Sequence, residues 1–256
     1  MIMPKEKSLT ALILTRPTDQ NTELIDGLKN SPVTVIEYPF LEIKPLKDYT
    51  LFDSLIGQLS DFDILIFIST NAVKFFIERM DLFSIKLPEN IILASIGPAT
   101  KSVLSKHFNH EVCSPEVAFD SEHLLEHPIF KNIQKKNILI VRGEGGRETL
   151  KEGLEQKGAT VIYAECYLRK DLPISFDYLR KITKGYEKIF FLITSNEIGT
   201  KLINDLSLSE KAWLSNCCCI VNHIKTQKTL INFFRVILKA NTLKPENIQK
   251  LLKIST

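Results

Sequence analysis

Two places in the chain put small hydroxyl or amide side chains directly behind an apolar run, and a third puts a glycine and proline there with a threonine and lysine following. Ile64–Ile68 leads into Ser69-Thr70-Asn71, Ile189–Ile193 into Thr194-Ser195-Asn196, and Ile96 into Gly97-Pro98-Ala99-Thr100-Lys101. Arginines hold comparable positions: Arg16 in Thr15-Arg16-Pro17, and Arg142 and Arg147 on either side of Gly143-Glu144-Gly145-Gly146. Each apolar run reads as a buried strand, and the segment behind it as a helix start. A helix start offers unpaired backbone N–H groups and a positive end. Together with nearby guanidinium and ammonium groups it attracts carboxylates or phosphates. The same residue types also suit plainer duties: Ser69, Thr70 and Ser195 as helix caps, Arg16 and Arg142 as partners of nearby acids.

Other chemistries lack their residues. Gly-x-Gly-Gly at 143–146 is neither a dinucleotide fingerprint nor a phosphate-binding loop, and no acidic residue stands at a ribose-binding spacing. No G-x-S-x-G elbow occurs. His107, His110, His123 and His127 lie in polar stretches, and only His223 falls at a strand-to-helix turn. No Cys or His spacing matches a zinc site, and the five cysteines include the consecutive Cys217, Cys218 and Cys219. Consecutive strand residues face opposite ways, so this triplet reads as small apolar residues of a reduced interior. The expectation is chemistry without a metal or redox cofactor, relying on positioning and electrostatic stabilisation.

The elements that position these residues are repeated along the chain. Ala11–Arg16 and Ile138–Arg142 are apolar strands ending in arginine, offset by 126 residues (142 − 16). At the same offset Leu24 matches Leu150, Gly27 matches Gly153, Leu28 matches Leu154, and Thr34-Val35-Ile36 matches Thr160-Val161-Ile162. Asp63–Asn71 and Lys188–Asn196 match at 125 (196 − 71), and Ile96 and Ile220 at 124 (220 − 96). Helical spacing follows in both copies: Val73, Phe76, Ile77 and Met80, then Ile198, Leu202, Ile203 and Leu206. Alternating strands and helices predict an α/β fold. Two similar lobes are expected, each a parallel sheet flanked by helices, built from a duplicated unit and joined by a two-stranded hinge. Residues 1–36 with 173–256 are expected to form a discontinuous lobe and 43–164 the second. Residues 37–42 and 165–172 are the expected hinge strands, with Pro39 and Pro173 disfavouring helix beside them.

The chain has 256 residues, 44% of them hydrophobic, enough for two cores of ordinary size. A formal net charge of +3 argues against an extended nucleic-acid surface but permits local basic clusters. The apolar runs are too short to span a membrane, and the start of the chain lacks an apolar signal core, so a cytoplasmic protein is expected.

Taken in order, Leu14-Thr15-Arg16-Pro17, Phe67-Ile68-Ser69-Thr70-Asn71-Ala72-Val73, Ile96-Gly97-Pro98-Ala99-Thr100, Arg142-Gly143 with Arg147, and Tyr167 resemble the uroporphyrinogen-III synthase family over nearly the whole chain. The resemblance implies two lobes with the active site in the cleft between them. It implies as substrate hydroxymethylbilane, a linear tetrapyrrole with eight carboxylates, and no cofactor. The implied reaction is loss of the terminal hydroxyl to an azafulvene, attack by the substituted carbon of ring D through a spiro intermediate, and reclosure with ring D inverted. It gives Tyr167 the role of assisting departure of the hydroxyl, beside a plainer one in packing the hinge. With such a substrate, the strand-end and helix-start residues Arg16, Ser69, Thr70, Asn71, Thr100, Lys101, Arg142, Arg147, Thr194 and Ser195 are the candidate contacts. The chain departs from the family pattern at Val221-Asn222-His223-Ile224, where a Ser/Thr- or Arg-containing loop is common, and at Phe233, where glycine is common. Asn222 is the candidate replacement contact there. A monomer that receives substrate from hydroxymethylbilane synthase is the expected setting. A non-catalytic two-lobed tetrapyrrole- or carboxylate-binding protein, or a nucleotide-binding flavodoxin-like protein, are the alternatives.

Overall fold

A computed structural model of the chain describes residues 9–116 and 119–254. Residues 1–8, 117–118 and 255–256 of the expected lobes lie outside the described residues. The chain begins with β1 (Thr10–Leu14), α1 (Thr22–Leu28), β2 (Thr34–Glu37) and β3 (Leu41–Pro45). It continues through α2 (Thr50–Ile56), β4 (Ile64–Phe67), α3 (Thr70–Phe83), β5 (Ile92–Ser95), α4 (Pro98–His107), β6 (Val112–Cys113) and α5 (Ser121–Leu125). Next come β7 (Asn137–Gly143), α6 (Thr149–Gln156), β8 (Thr160–Asp171), α7 (Phe176–Ile182) and β9 (Lys188–Ile193). Last are α8 (Asn196–Ile203), α9 (Leu208–Leu214), β10 (Cys218–Val221), α10 (Ile224–Leu230), β11 (Val236–Lys239) and α11 (Pro245–Ile254).

The strands form two sheets, ordered β2-β1-β9-β10-β11 and β3-β8-β7-β4-β5-β6. The chain divides accordingly into two compact units. Of the described residues, unit 1 takes 9–42 and 170–254, and unit 2 takes those within Ile43–Arg169. The central strands β1, β4, β9 and β10 consist almost wholly of buried apolar residues, as parallel strands covered on both faces must. Unit 1 packs Ile13, Phe191, Cys217, Cys219 and Val221 against one set of helices and Leu12, Leu14, Phe190, Cys218 and Ile220 against the other. The cysteine triplet thus alternates between the two cores.

The internal repeat extends to strand register. Ala11 pairs with Thr34 and Asn137 with Thr160, 23 residues apart in each copy (34 − 11 and 160 − 137). Ile64 pairs with Ile92 and Phe190 with Cys218, again equally spaced (92 − 64 and 218 − 190, both 28). The repeated glycines do the same job twice. A β-carbon on Gly27 would fall 2.2 Å from Cγ of Pro245 in α11, and one on Gly153 2.4 Å from Cδ1 of Leu125 in α5, so each lets a helix dock closely. The copies in sequence are not the units in space: each unit takes its first two equivalent strands from one copy and the rest from the other. Unit 1 joins β1 and β2 to β9, β10 and β11; unit 2 joins β7 and β8 to β4, β5 and β6.

The connecting segments are not bare linkers. Tyr38 and Phe40 still donate backbone hydrogen bonds to Leu14 and Thr15 at the end of β1 (3.0 and 2.9 Å), and Leu172 donates to Phe40 (3.1 Å). Residues 165–171 are the far half of β8, and β3 lies beside β8 in the same sheet. The helix after β9 is shorter than its apolar spacing suggests: α8 ends at Ile203, and Asp205 turns the chain with φ of 54° before Leu206.

Candidate functional site

In an open parallel sheet, neighbouring strands whose connections leave in opposite directions open a crevice at their carboxyl ends. In unit 2 these strands are β4 and β7, because β4 leads through α3 to β5 and β7 leads through α6 to β8 on the other side. In unit 1 they are β1 and β9.

At the unit 2 crevice, Ser69 follows β4 and caps α3, its Oγ accepting from Ala72 N–H at 3.0 Å. Thr70 and Asn71 form the first turn of that helix and are half-buried. Tyr167 reaches the same point from β8. Its Oη lies 3.1 Å from Ser69 Oγ, and its ring stacks on Phe75 of α3, centroids 5.7 Å apart at 21°. To get there it crosses the end of β7, where Gly143 leaves room. A bulge aligns the crossing: Arg142 pairs with Glu165 and Gly143 with Tyr167, so Cys166 is an extra residue on β8. Bulges of this kind re-aim a side chain. Cys166 turns inward, its Sγ 3.4 Å from Arg142 O, and burial pushes its thiol pKa well up.

Arg142 is buried, with 3% of its side chain exposed, and is spent on its own loop. It donates to the carbonyls of Gly143 (3.3 Å), Gly145 and Arg147 (3.3 Å) and approaches Glu148 (3.5 Å) and Glu165 (4.0 Å). Its guanidinium lies 4.2 Å from the centre of the Tyr163 ring. Burial and a 2.8 Å hydrogen bond to Glu148 push the Tyr163 phenol well above its ordinary pKa. Arg142 therefore shapes the loop from the inside and points no open face outward. Arg147, by contrast, is exposed, as is Lys101 in the first turn of α4. Gly97 caps α4 with Pro98 at its first position, and Thr100 is buried, 5% exposed.

At the unit 1 crevice, Arg16 donates from Nε to Asn21 Oδ1 at 2.6 Å, and Asn21 Nδ2 donates to Glu37 at 2.8 Å. Burial lowers the Arg16 pKa, partly offset by Glu23 and Asp19. Ser195 caps α8 by accepting from Ile198 N–H at 3.1 Å; Thr194 beside it is half-buried. Asn222 Oδ1 and Thr226 Oγ1, at the end of β10 and in α10, are buried and find no hydrogen-bond partner among the described residues. His223 caps α10 and is exposed. Among the described residues no three His, Cys, Asp or Glu side chains converge as a metal would need, and no helix is long and apolar enough to cross a membrane.

The structure thus brings Tyr167, Ser69, Thr70, Asn71 and the Arg142 loop to one crevice. It holds Arg16, Thr194, Ser195 and Asn222 on the other unit. Sequence reasoning missed Phe75, Asn21 and the acids around Arg142. The contact between Phe75 and Tyr167 spans two elements far apart in the chain and leaves no local pattern. Glu148 and Glu165 carry a faint signal, as acids flanking a glycine loop with a buried arginine.

The uroporphyrinogen-III synthase HemD family model matches residues 22–239. The chain belongs to the uroporphyrinogen-III synthase family. It is 27% identical over 214 residues to the uroporphyrinogen-III synthase of Escherichia coli K12, a match covering 82% of this chain and 86% of that one. It is 30% identical over 159 residues to that of Proteus mirabilis, covering 62% and 80%. A crystal structure of a mutant uroporphyrinogen III synthase from the extremely thermophilic bacterium Thermus thermophilus superposes with a TM-score of 0.69 over 95% of this chain and 98% of that one, at 11% identity. At that identity the likeness concerns the fold, and it extends over both parallel α/β units.

Proposed function

We propose that this chain cyclises hydroxymethylbilane to uroporphyrinogen III, with loss of water and inversion of ring D. Family membership supports the reaction, and the observation that carries the site is the hydroxyl of Tyr167 held against Ser69 at the carboxyl end of β4. Tyr167 gives a proton to the departing hydroxyl. The C–O bond breaks, its electron pair leaves as water, and the terminal pyrrole that bore it becomes the electrophile; the substituted carbon of ring D attacks it to form the spiro intermediate, that carbon's original bond to the neighbouring methylene breaks, and ring D recloses inverted through its other α-carbon. The proton lost when the macrocycle closes returns to the tyrosine, so the sum is substrate to product plus water. Most of the rate effect comes from holding the four rings curled.

The substrate carboxylates are assigned to donors at the strand ends. In unit 2 these are the N–H groups around Thr70 and Asn71, with Thr100, Lys101 and Arg147. In unit 1 they are Arg16, Thr194, Ser195 and Asn222. Arg142 contributes by fixing the loop that carries Arg147. The reaction as proposed draws on no cofactor. The setting proposed is a cytoplasmic monomer that receives hydroxymethylbilane from the enzyme that makes it.

The test couples the purified chain to hydroxymethylbilane synthase and resolves isomers I and III of the product. Isomer III in excess of the spontaneous isomer I is expected. Isomer I alone, with hydroxymethylbilane bound but unconverted, would overturn the reading and leave a tetrapyrrole-binding protein.

A further inference from the structure

Ser69 holds two polar partners at once. Its Oγ accepts the Ala72 N–H at 3.0 Å and stands 3.1 Å from the phenol oxygen of Tyr167. A serine hydroxyl has a single hydrogen, and accepting the Ala72 N–H leaves that hydrogen to be directed elsewhere. The helix it caps, α3, is 14 residues long, so the positive end of its macrodipole is fully developed at this hydroxyl. Tyr167 cannot drift from it: Phe75 stacks on one side of the ring and Gly143 is pressed close to its edge.

We infer that Ser69 is a positioning residue that acts through Tyr167 and does not itself bind a substrate carboxylate. When Tyr167 gives up its proton to the leaving hydroxyl, Ser69 O–H donates to the phenolate left behind. The Ala72 N–H and the start of α3 stabilise that charge through the serine. When the macrocycle closes and releases a proton, the phenolate takes it and the hydrogen bond relaxes. No other reactant is required. The inference rests on the proposed role of Tyr167 as proton donor, and it reassigns Ser69 from gripping the substrate to tuning that donor.

The test is a set of variants at both positions, assayed for kcat and KM on hydroxymethylbilane. Ser69→Ala should lower kcat about ten- to a hundredfold, the worth of a hydrogen bond to a charged group, with KM changed less than about threefold. Ser69→Asp keeps a good cap, so it should fold, yet its carboxylate opposes a phenolate; it should lose at least as much kcat as Ser69→Ala. Ser69→Thr should restore most of the activity. In a Tyr167→Phe background, Ser69→Ala should cost less than about twofold more. A Ser69→Asp protein with wild-type kcat, or a full additional loss on top of Tyr167→Phe, would overturn the inference. A Tyr167→Phe protein with wild-type kcat would instead overturn the reading of Tyr167 as the donor.

Discussion

A β-carbon on Gly143 would fall 2.4 Å from Cε2 of Tyr167, closer than real side chains approach. The tyrosine cannot retreat, because Phe75 stacks on its ring. Gly143→Ala should therefore push the phenol off Ser69. We expect about 1–3 kcal/mol of lost stability, the usual cost of overpacking, and a fall in kcat at nearly unchanged KM. Urea unfolding and initial rates measure the two. In a Tyr167→Ala background the stability penalty should vanish; a penalty that persists would place the strain elsewhere.

Tyr167→Phe keeps the ring, the stack and the contact with Gly143 and removes only the hydroxyl. It should reduce kcat by roughly tenfold to a few hundredfold, given that general acid assistance is typically worth ~10²–10⁴. The enzymatic product should remain isomer III, since positioning of the rings is untouched. A shift of product toward isomer I, measured by separating the isomers, would mean that the tyrosine shapes the substrate.

Arg142 and Arg147 should behave differently although they flank one loop. Arg142→Ala removes donors to the carbonyls of Gly143, Gly145 and Arg147 and leaves them unpaired. It should lower the unfolding free energy by about 2–4 kcal/mol, read by urea denaturation. Arg147→Ala should leave stability within about 0.5 kcal/mol and raise KM, with the gap from wild type narrowing as salt rises. Equal KM across salt concentrations would remove Arg147 from the substrate contacts.

The start of α5 should respond to pH. His123 Nδ1 lies 2.5 Å from Asp120 Oδ1, and the same oxygen accepts the His123 N–H at 2.9 Å. The bond to Asp120 raises the His123 pKa. Burial alone would raise Asp120, yet the hydrogen bonds from His123 leave it below the ordinary carboxylate value. The histidine's contribution is complete below about pH 6.5 and is lost as pH rises through its raised folded pKa. The aspartate's is complete above about pH 3.9 and is lost as pH falls through its lowered one. Wild type should therefore exceed His123→Ala in stability most between roughly pH 4 and 6.5, and the difference should shrink on the alkaline side. A difference that stays flat from about pH 5 to pH 9 would show that the pair does not form.

The architecture was legible because it is written in local pattern. Apolar runs such as Ile64–Phe67 and Lys188–Ile193 are buried strands, and the spacing of Val73, Phe76 and Met80 is one face of α3. The matched offsets reappear in strand register because equal loop lengths close equal strand–helix–strand units. The helix caps Ser69, Gly97 and Ser195 were legible for the same reason. What each polar group touches was not. Arg142 read as either an anion contact or a partner of nearby acids, and only the turn of residues 143–148 shows that its donors go to loop carbonyls beside Glu148 and Glu165. Ser69 looked like a cap or an anion contact, and its bond to Tyr167 spans two strands separated by β7. Composition cannot report which residues a β-bulge brings face to face.

The interleaving of the two sequence copies also sets an order of assembly. Unit 2 is one continuous stretch and can complete its sheet once β8 has been made. Strands β1 and β2 are made before unit 2, yet β1 has β9 as its other neighbour in the sheet, with Thr10 opposite Lys188. At ordinary synthesis rates the pair waits on the order of ten to forty seconds for that strand. During the wait the edge of β1, Thr10–Leu14, is unpaired and almost entirely apolar, the kind of edge that captures other chains. Unit 1, although it holds β1 and β2, becomes whole later than unit 2, and its nascent strand–helix–strand segment is where a chaperone would have most to protect.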